Sequence, residues 1–146
     1  MEKVKIKVKR LLSAYDLPLP KMMTAGAAGS DICSAEFAIV KPGLPVVVGT
    51  GLCFEIPQGY EIQVRSRSGL AAKNGVFVLN SPGTIDSDYR GELKVILATV
   101  EDELNIRPGD RIAQLVVNKI EQTDFFESEE LEKTERDSGG FGSTGV

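Results

Sequence analysis

The chain has 146 residues, a formal net charge of −4 and no histidine. That length suits one compact domain with a modest core, and 42% apolar residues without tryptophan is an ordinary globular composition. The missing histidine excludes imidazole bases, histidine triads and most zinc sites; a metal here must be held by oxygen, which points to magnesium-type chemistry. Net acidity argues against general nucleic-acid binding, and no apolar run is long enough to span a bilayer.

The first segment, MEKVKIKVKRLL, sets Val4, Ile6 and Val8 in alternation with Lys3, Lys5, Lys7 and Lys9. Period two predicts a half-buried strand with a lysine-lined outer face. The segment lacks the unbroken apolar stretch of a signal peptide, so a cytoplasmic location is expected. A loop rich in Pro, Ala and Gly follows, from Tyr15 to Ser30. Short apolar runs then come in succession: Glu36–Val40, Val46–Gly49, Leu52–Ile56, Tyr60–Arg65, Val76–Leu79, Leu93–Val100 and Arg111–Val117. Gly and Pro punctuate them at Pro42-Gly43, Pro57-Gln58-Gly59, Ser81-Pro82-Gly83 and Pro108-Gly109. Short strands at close spacing with turn signals between them predict an all-β sandwich or jelly roll. One segment reads as helical, Ser68 to Asn74, with a serine to cap it and Gly75 to stop it. Cys33 and Cys53 lie in apolar-looking segments and are expected to be buried free thiols. There is no internal repeat.

The charge is uneven. Glu121 to Asp137 holds eight acids against two bases, so the rest of the chain has a balance of +2. A slightly basic body can take a small polyanion. The last ten residues, Asp137 to Val146, contain four glycines and one aromatic ring, too little to hold a fold. Residues 1–126 therefore read as the domain, and 127–146 as a flexible connector and glycine-rich arm.

Four stretches carry candidate chemistry. Arg65-Ser66-Arg67-Ser68-Gly69-Leu70 runs from a strand into the short helix. Free N–H groups, a hydroxyl and a guanidinium there suit a phosphate, although taken alone a capped helix with two exposed arginines reads slightly better. Gly83-Thr84-Ile85-Asp86-Ser87-Asp88-Tyr89-Arg90-Gly91 sets two carboxylates and a tyrosine between glycines. If it is extended, Asp86 and Asp88 point to one side and a carboxylate can orient a water; a solvated acidic loop is the ordinary alternative. Gly109 to Leu115 reads as a turn and a core strand, on which Arg111 and Gln114, three apart, need not share a face. Arg136 to Gly145 combines a cation, hydroxyls, glycines and Phe141, which suits wrapping a phosphate and covering a base; a disordered end is the bland reading.

Together and in order, AGSDICSA (28–35), RSRSGLA (65–71), GTIDSDYRG (83–91), GDRIAQL (109–115) and RDSGGFGSTG (136–145) resemble the signature motifs of the trimeric dUTP pyrophosphatases. The resemblance runs over nearly the whole chain, and five ordered motifs are highly specific. It implies a jelly-roll homotrimer with three sites at subunit interfaces, hydrolysis of dUTP to dUMP and pyrophosphate, a supply of dUMP for dTTP synthesis, and exclusion of uracil from DNA. Asp86 resembles the catalytic aspartate that orients the attacking water. Tyr89 resembles the ring beneath the deoxyribose that leaves no room for a 2′-hydroxyl. Asn80, with the backbone of Gly83, Thr84 and Ile85, resembles the hairpin that pairs with uracil. Arg67, Ser68 and Gly69 resemble the phosphate turn, Gln114 a further phosphate contact, and Lys94 a substrate-contacting position. Arg136, Phe141, Gly142, Ser143 and Thr144 resemble the arm that closes over the nucleotide, and Asp31 the acid that supports Mg2+ through water.

One departure stands out: Ser66 occupies a position where many members of that family have proline, a change expected to loosen the turn. Two rivals are dCTP deaminase, which shares the fold but carries a catalytic glutamate in a different third motif, and a non-catalytic jelly roll that binds nucleotide without turnover.

Overall fold

The computed structural model describes Glu2 to Gly145; Met1 and Val146, the ends of the expected domain and arm, lie outside the described residues. In chain order it contains β1 (Lys7–Arg10), a 3₁₀ turn (Leu12–Ala14), β2 (Ser30–Cys33), β3 (Ala38–Val40), β4 (Val46–Glu55), β5 (Tyr60–Arg65), α1 (Ser68–Asn74), β6 (Val76–Val78), β7 (Gly83–Ile85), β8 (Glu92–Thr99), β9 (Leu104–Ile106) and β10 (Arg111–Lys119). One sheet runs β1-β4-β8-β6, a second β2-β10-β5-β7, and β3 pairs with β9. Every pairing is antiparallel. Two four-stranded sheets enclosing one core make the jelly roll that the sequence predicts.

Alternation builds the core. On β8, Leu93, Val95 and Leu97 are 0–1% exposed, whereas Lys94 between them is exposed. Val48, Leu52 and Phe54 of β4 and Val76 and Val78 of β6 extend that layer. Facing it are Ile32 of β2, Ile62 and Val64 of β5, and Ile112 and Leu115 of β10. Each such side chain, fully buried, stabilises by about 1.5–3 kcal/mol. The buried hydroxyls are satisfied: Thr50 donates to the Leu93 carbonyl, and Ser34 donates to the Glu36 carbonyl.

The runs Val46–Gly49 and Leu52–Ile56 are not two strands. They are halves of β4, joined through an irregularity in its pairing with β8. Gly51 stands there at φ +66°, and a Cβ on it would lie 2.6 Å from that of Ala14. Only glycine lets the 3₁₀ turn close against the strand, where Leu11 N–H donates to the Gly51 carbonyl at 2.8 Å. The first strand starts at Lys7 rather than Val4; Ile6 and Val8 pack on the core, while Val4 is exposed. β1 is a sheet edge, and its lysines keep that edge soluble. Lys7 also pairs with Glu55 at 2.6 Å, a bond that holds the glutamate carboxyl below its ordinary pKa.

The helix falls where expected, with one correction. Its N-cap is Arg67, and Ser68 is already inside the helix; no side chain caps it. Gly75, left-handed at φ +64°, ends it with its N–H on the carbonyls of Leu70 and Ala71. The sequence did not mark β2, β7 or β9, which are three or four residues each. Both cysteines are free, but only partly buried rather than fully so. No described helix is long and apolar enough to cross a membrane.

Candidate active site

The first half of the site gathers where β2, β10 and β5 end. Gln114 of β10 lies opposite Asp31 on one side and Arg65 on the other. The β10 register slips between Arg111 and Ala113, so Arg111 faces Cys33 and Gln114 faces Asp31. Cys33 and Asp31 are two apart on β2 and share a face. The extra residue, Ile112, therefore turns Arg111 and Gln114 to the same side despite their odd spacing. Arg67 Nε meets Asp31 Oδ1 at 3.1 Å, and Arg111 Nη1 meets Asp31 Oδ2 at 3.3 Å. One carboxylate thus fixes two guanidiniums, each with donors left over. Gln114 Nε2 donates to the Ser66 carbonyl at 2.9 Å, which ties β10 to the phosphate-type turn. Ser68 and Gly69 are exposed at the helix start, where backbone N–H groups have no helical acceptor. Cys33 shares this face; burial pushes its thiol pKa up, while Arg111 pulls it down.

Ser66, expected to loosen the turn, makes a bond that ties it to a neighbouring strand. Its hydroxyl accepts the Val78 N–H at 2.9 Å and so binds the turn to the end of β6. Ser66→Ala leaves the N–H of buried Val78 without a partner. It is expected to lower unfolding free energy by about 1–2 kcal/mol in a denaturant titration, and an unchanged midpoint would remove this role.

The second half lies on either side of β7. The Asn80–Pro82 turn precedes it, with the Ser81 N–H on the Val78 carbonyl and a cis Ser81–Pro82 bond. Asn80 Nδ2 lies against Gly83. After β7 the chain is not extended. Tyr89 N–H donates to the Asp86 carbonyl at 3.2 Å, so Asp86 to Tyr89 is a turn, and strand alternation does not align Asp86 with Asp88. Arg90 Nη1 closes that turn by donating to the carbonyls of Ser87 (2.6 Å) and Tyr89 (3.2 Å).

Asp86 stands between two recesses. One, of about 270 Å³, is lined by Thr84, Ile85, Tyr89 and Lys94, with Val47 and Ile96 as apolar wall. The other, of about 630 Å³, is an open groove carrying Glu61, Asp88 and Arg90. The smaller recess combines an apolar floor, one cation (Lys94) and two carboxylates (Asp86 and Glu92), a mixture of apolar wall and few polar groups that suits a sugar and base. Tyr89 borders it and is half-exposed rather than tucked into the core.

The two halves are not adjacent on one chain. Asp31 is level with Arg65 and three strands away from β7, while Asp86 follows Ile85, which is level with Ile62. At about 3.3 Å per residue and about 4.8 Å between strands, they lie on the order of 20 Å apart. The arm joins neither half. From Glu121 to Gly145 no strand or helix forms, and the described hydrogen bonds of that segment stay within it. Arg136 Nε donates to the Gly139 carbonyl, and Phe141 is fully exposed. Sequence reasoning passed over Arg111; the signal, visible only in register, is the bulge. It also gave Arg90 no role, although its place one residue after the tyrosine was plain.

These features define an all-β jelly roll whose surface carries a fixed cation cluster and a carboxylate-bearing, nucleoside-sized recess. The chain belongs to the dUTPase family: the family's sequence model matches residues 16–145. It is 50% identical over 145 residues to the deoxyuridine 5′-triphosphate nucleotidohydrolase of Zymomonas mobilis, covering 99% of each chain. It is 52% identical over 148 residues to the enzyme of that name from Fusobacterium nucleatum, again covering 99% of each. Among solved structures, the Staphylococcus bacteriophage 80alpha dUTPase with dUPNHPP superposes with a TM-score of 0.85 at 30% identity, over 97% of this chain and 99% of that one. A variant dUTPase from phage phi11 of S. aureus, described with a structural Mg(II) ion, superposes at 0.78 and 25% identity, over 88% of this chain and 99% of that one.

Proposed function

We propose that the chain hydrolyses dUTP to dUMP and pyrophosphate, as a cytoplasmic homotrimer with Mg2+. The observation that carries this reading is the position of Asp86 on the rim of the recess formed by Thr84, Ile85, Tyr89 and Lys94, in a chain of the dUTPase family.

Asp86 accepts a proton from a water as that water attacks the α-phosphorus. The bond from the α-phosphorus to the bridging oxygen breaks in line, and pyrophosphate leaves. The catalytic contribution is positioning and charge stabilisation more than covalent chemistry. Asn80 and the backbone of Gly83, Thr84 and Ile85 read the uracil edge. Tyr89 underlies the deoxyribose, and Lys94 reaches the substrate from β8. Arg67, Ser68, Gly69 and Gln114 bind phosphate oxygens. Since a water and a phosphorus must approach within about 3.5 Å, halves on the order of 20 Å apart act on one nucleotide when different subunits supply them. The arm, with Arg136, Phe141, Gly142, Ser143 and Thr144, closes over a site built by its neighbours.

Among the described residues no group of three or more acidic or thiol side chains converges on a metal position. That donor set fits a Mg2+ carried on the triphosphate and its waters, not an ion caged by protein. Asp31 has one oxygen on Arg67 and the other on Arg111, and each keeps a lone pair for a metal-bound water. The ion supplies neutralisation of phosphate charge; the chain supplies the arginines, the amide and the carboxylate.

Pyrophosphate release from dUTP, with dTTP, dCTP and UTP as parallel substrates, tests the assignment. Turnover is expected with dUTP and at most a small fraction of it with the other three. Deamination of dCTP would move the chain to the sister activity, and binding without release would make it a non-catalytic binder.

A further inference from the structure

We propose that Gly91 is the positioning residue that seats the Tyr89 ring, and that it thereby sets the selection between deoxyribose and ribose. The inference rests on the reading of Tyr89 as the sugar gate and extends it to a residue with no side chain of its own.

Tyr89 closes the turn that begins at Asp86. Its side chain then reaches forward along the chain, and its hydroxyl donates to the Glu92 carbonyl at 2.9 Å. That path crosses Gly91. A Cβ on Gly91 would lie 2.5 Å from Tyr89 Oη, 2.6 Å from Cζ and 3.0 Å from Cε2. Carbon cannot approach carbon that closely, so ring and methyl cannot share the space. The backbone of Gly91 is not in the left-handed region, so an alanine there meets none of the strain of that region. The whole conflict falls on the ring. Tyr89 is 46% exposed and has open solvent to swing into. The substitution therefore displaces the ring while the core strand β8 that follows stays in place. The displaced ring lines the recess with Thr84, Asp86 and Lys94, where a shift of a few tenths of an ångström decides whether a 2′-hydroxyl fits.

The test measures kcat/KM for dUTP and UTP in the unaltered enzyme, Tyr89→Ala, Gly91→Ala and the double variant, with thermal unfolding of each. Tyr89→Ala is expected to narrow the dUTP-to-UTP ratio. Gly91→Ala is expected to narrow it in the same direction by on the order of tenfold, within the roughly hundredfold that rejection of one hydroxyl supplies. Its unfolding temperature should stay within a few degrees of the parent. In the double variant the ratio should match that of Tyr89→Ala, because the methyl has no ring left to displace. A normal ratio in Gly91→Ala alongside a narrowed one in Tyr89→Ala overturns the seating role and spares the gate. An unchanged ratio in Tyr89→Ala removes the gate, and the seating role with it. A double variant less selective than Tyr89→Ala shows Gly91 acting on something other than the ring, and also overturns the proposal.

Discussion

Asp86→Asn is expected to bind a non-hydrolysable dUTP analogue almost normally and to release pyrophosphate roughly 10²–10⁴-fold more slowly, the usual range for loss of a general base. The structure makes the variant a clean one. Asp86 is exposed, and no described hydrogen bond or ion pair engages its carboxylate. The turn it opens is held by its backbone carbonyl and by Arg90, neither of which the amide alters. Asparagine keeps the shape and removes the basic oxygen, so lost turnover reports chemistry rather than folding. Asp88→Asn, two positions further along the same turn, serves as the control and should retain near-parental rates. Single-turnover kinetics on both variants, with calorimetric titration of the analogue, separate the steps. Full-rate turnover by Asp86→Asn would end its assignment as base.

A chain ending at Glu135 should have ordinary thermal stability and near-normal dUMP affinity, yet hydrolyse dUTP on the order of 10²-fold more slowly. Every position from Glu121 to Ser138 is exposed, and the described hydrogen bonds of the arm are internal to it. Its removal subtracts nothing from the core. Ordering it costs about 1–2 kcal/mol per residue in backbone entropy, and four glycines among its last ten residues raise that cost. Phe141 over the base and Arg136, Ser143 and Thr144 on phosphate oxygens are what can offset it. dUMP lacks the two outer phosphates and recruits the arm weakly, so its affinity should hardly change. A closed arm also excludes water from the reacting centre. Calorimetry with dUMP and pyrophosphate release with dUTP make the comparison; an undiminished rate would reduce the arm to a disordered end.

The legible parts of the sequence were those governed by local rules. Short apolar runs between Gly and Pro turns marked β5, β8 and β10, and Gly75 marked the end of α1. β2, β7 and β9 were invisible because SDIC, GTI and LNI hold no continuous apolar run, and their pairing is decided by partners remote in sequence. The cation cluster was half legible. Arg67, Arg111 and Gln114 all stood in motifs, but Arg111 is brought to the face of Gln114 only through the unpaired Ile112, which no spacing rule reveals. The turn at Asp86 defeated an extended reading because Arg90, two positions beyond Asp88, bends the backbone onto its own guanidinium. Ser66 read as a loss when compared with proline, since its bond to Val78 spans two elements.

The placement of the cation cluster and the Asp86 turn at opposite ends of β5 has a genetic consequence. A lesion at Arg67 leaves the same polypeptide with a sound Asp86 turn, and a lesion at Asp86 leaves a sound Arg67. Where different chains contribute the two halves, two such null alleles expressed in one cell restore some working centres, because each supplies what the other lacks. Neither allele alone restores any. A lesion at Gly51 behaves otherwise, since it spoils the body of every chain that carries it, and no companion allele can make that good.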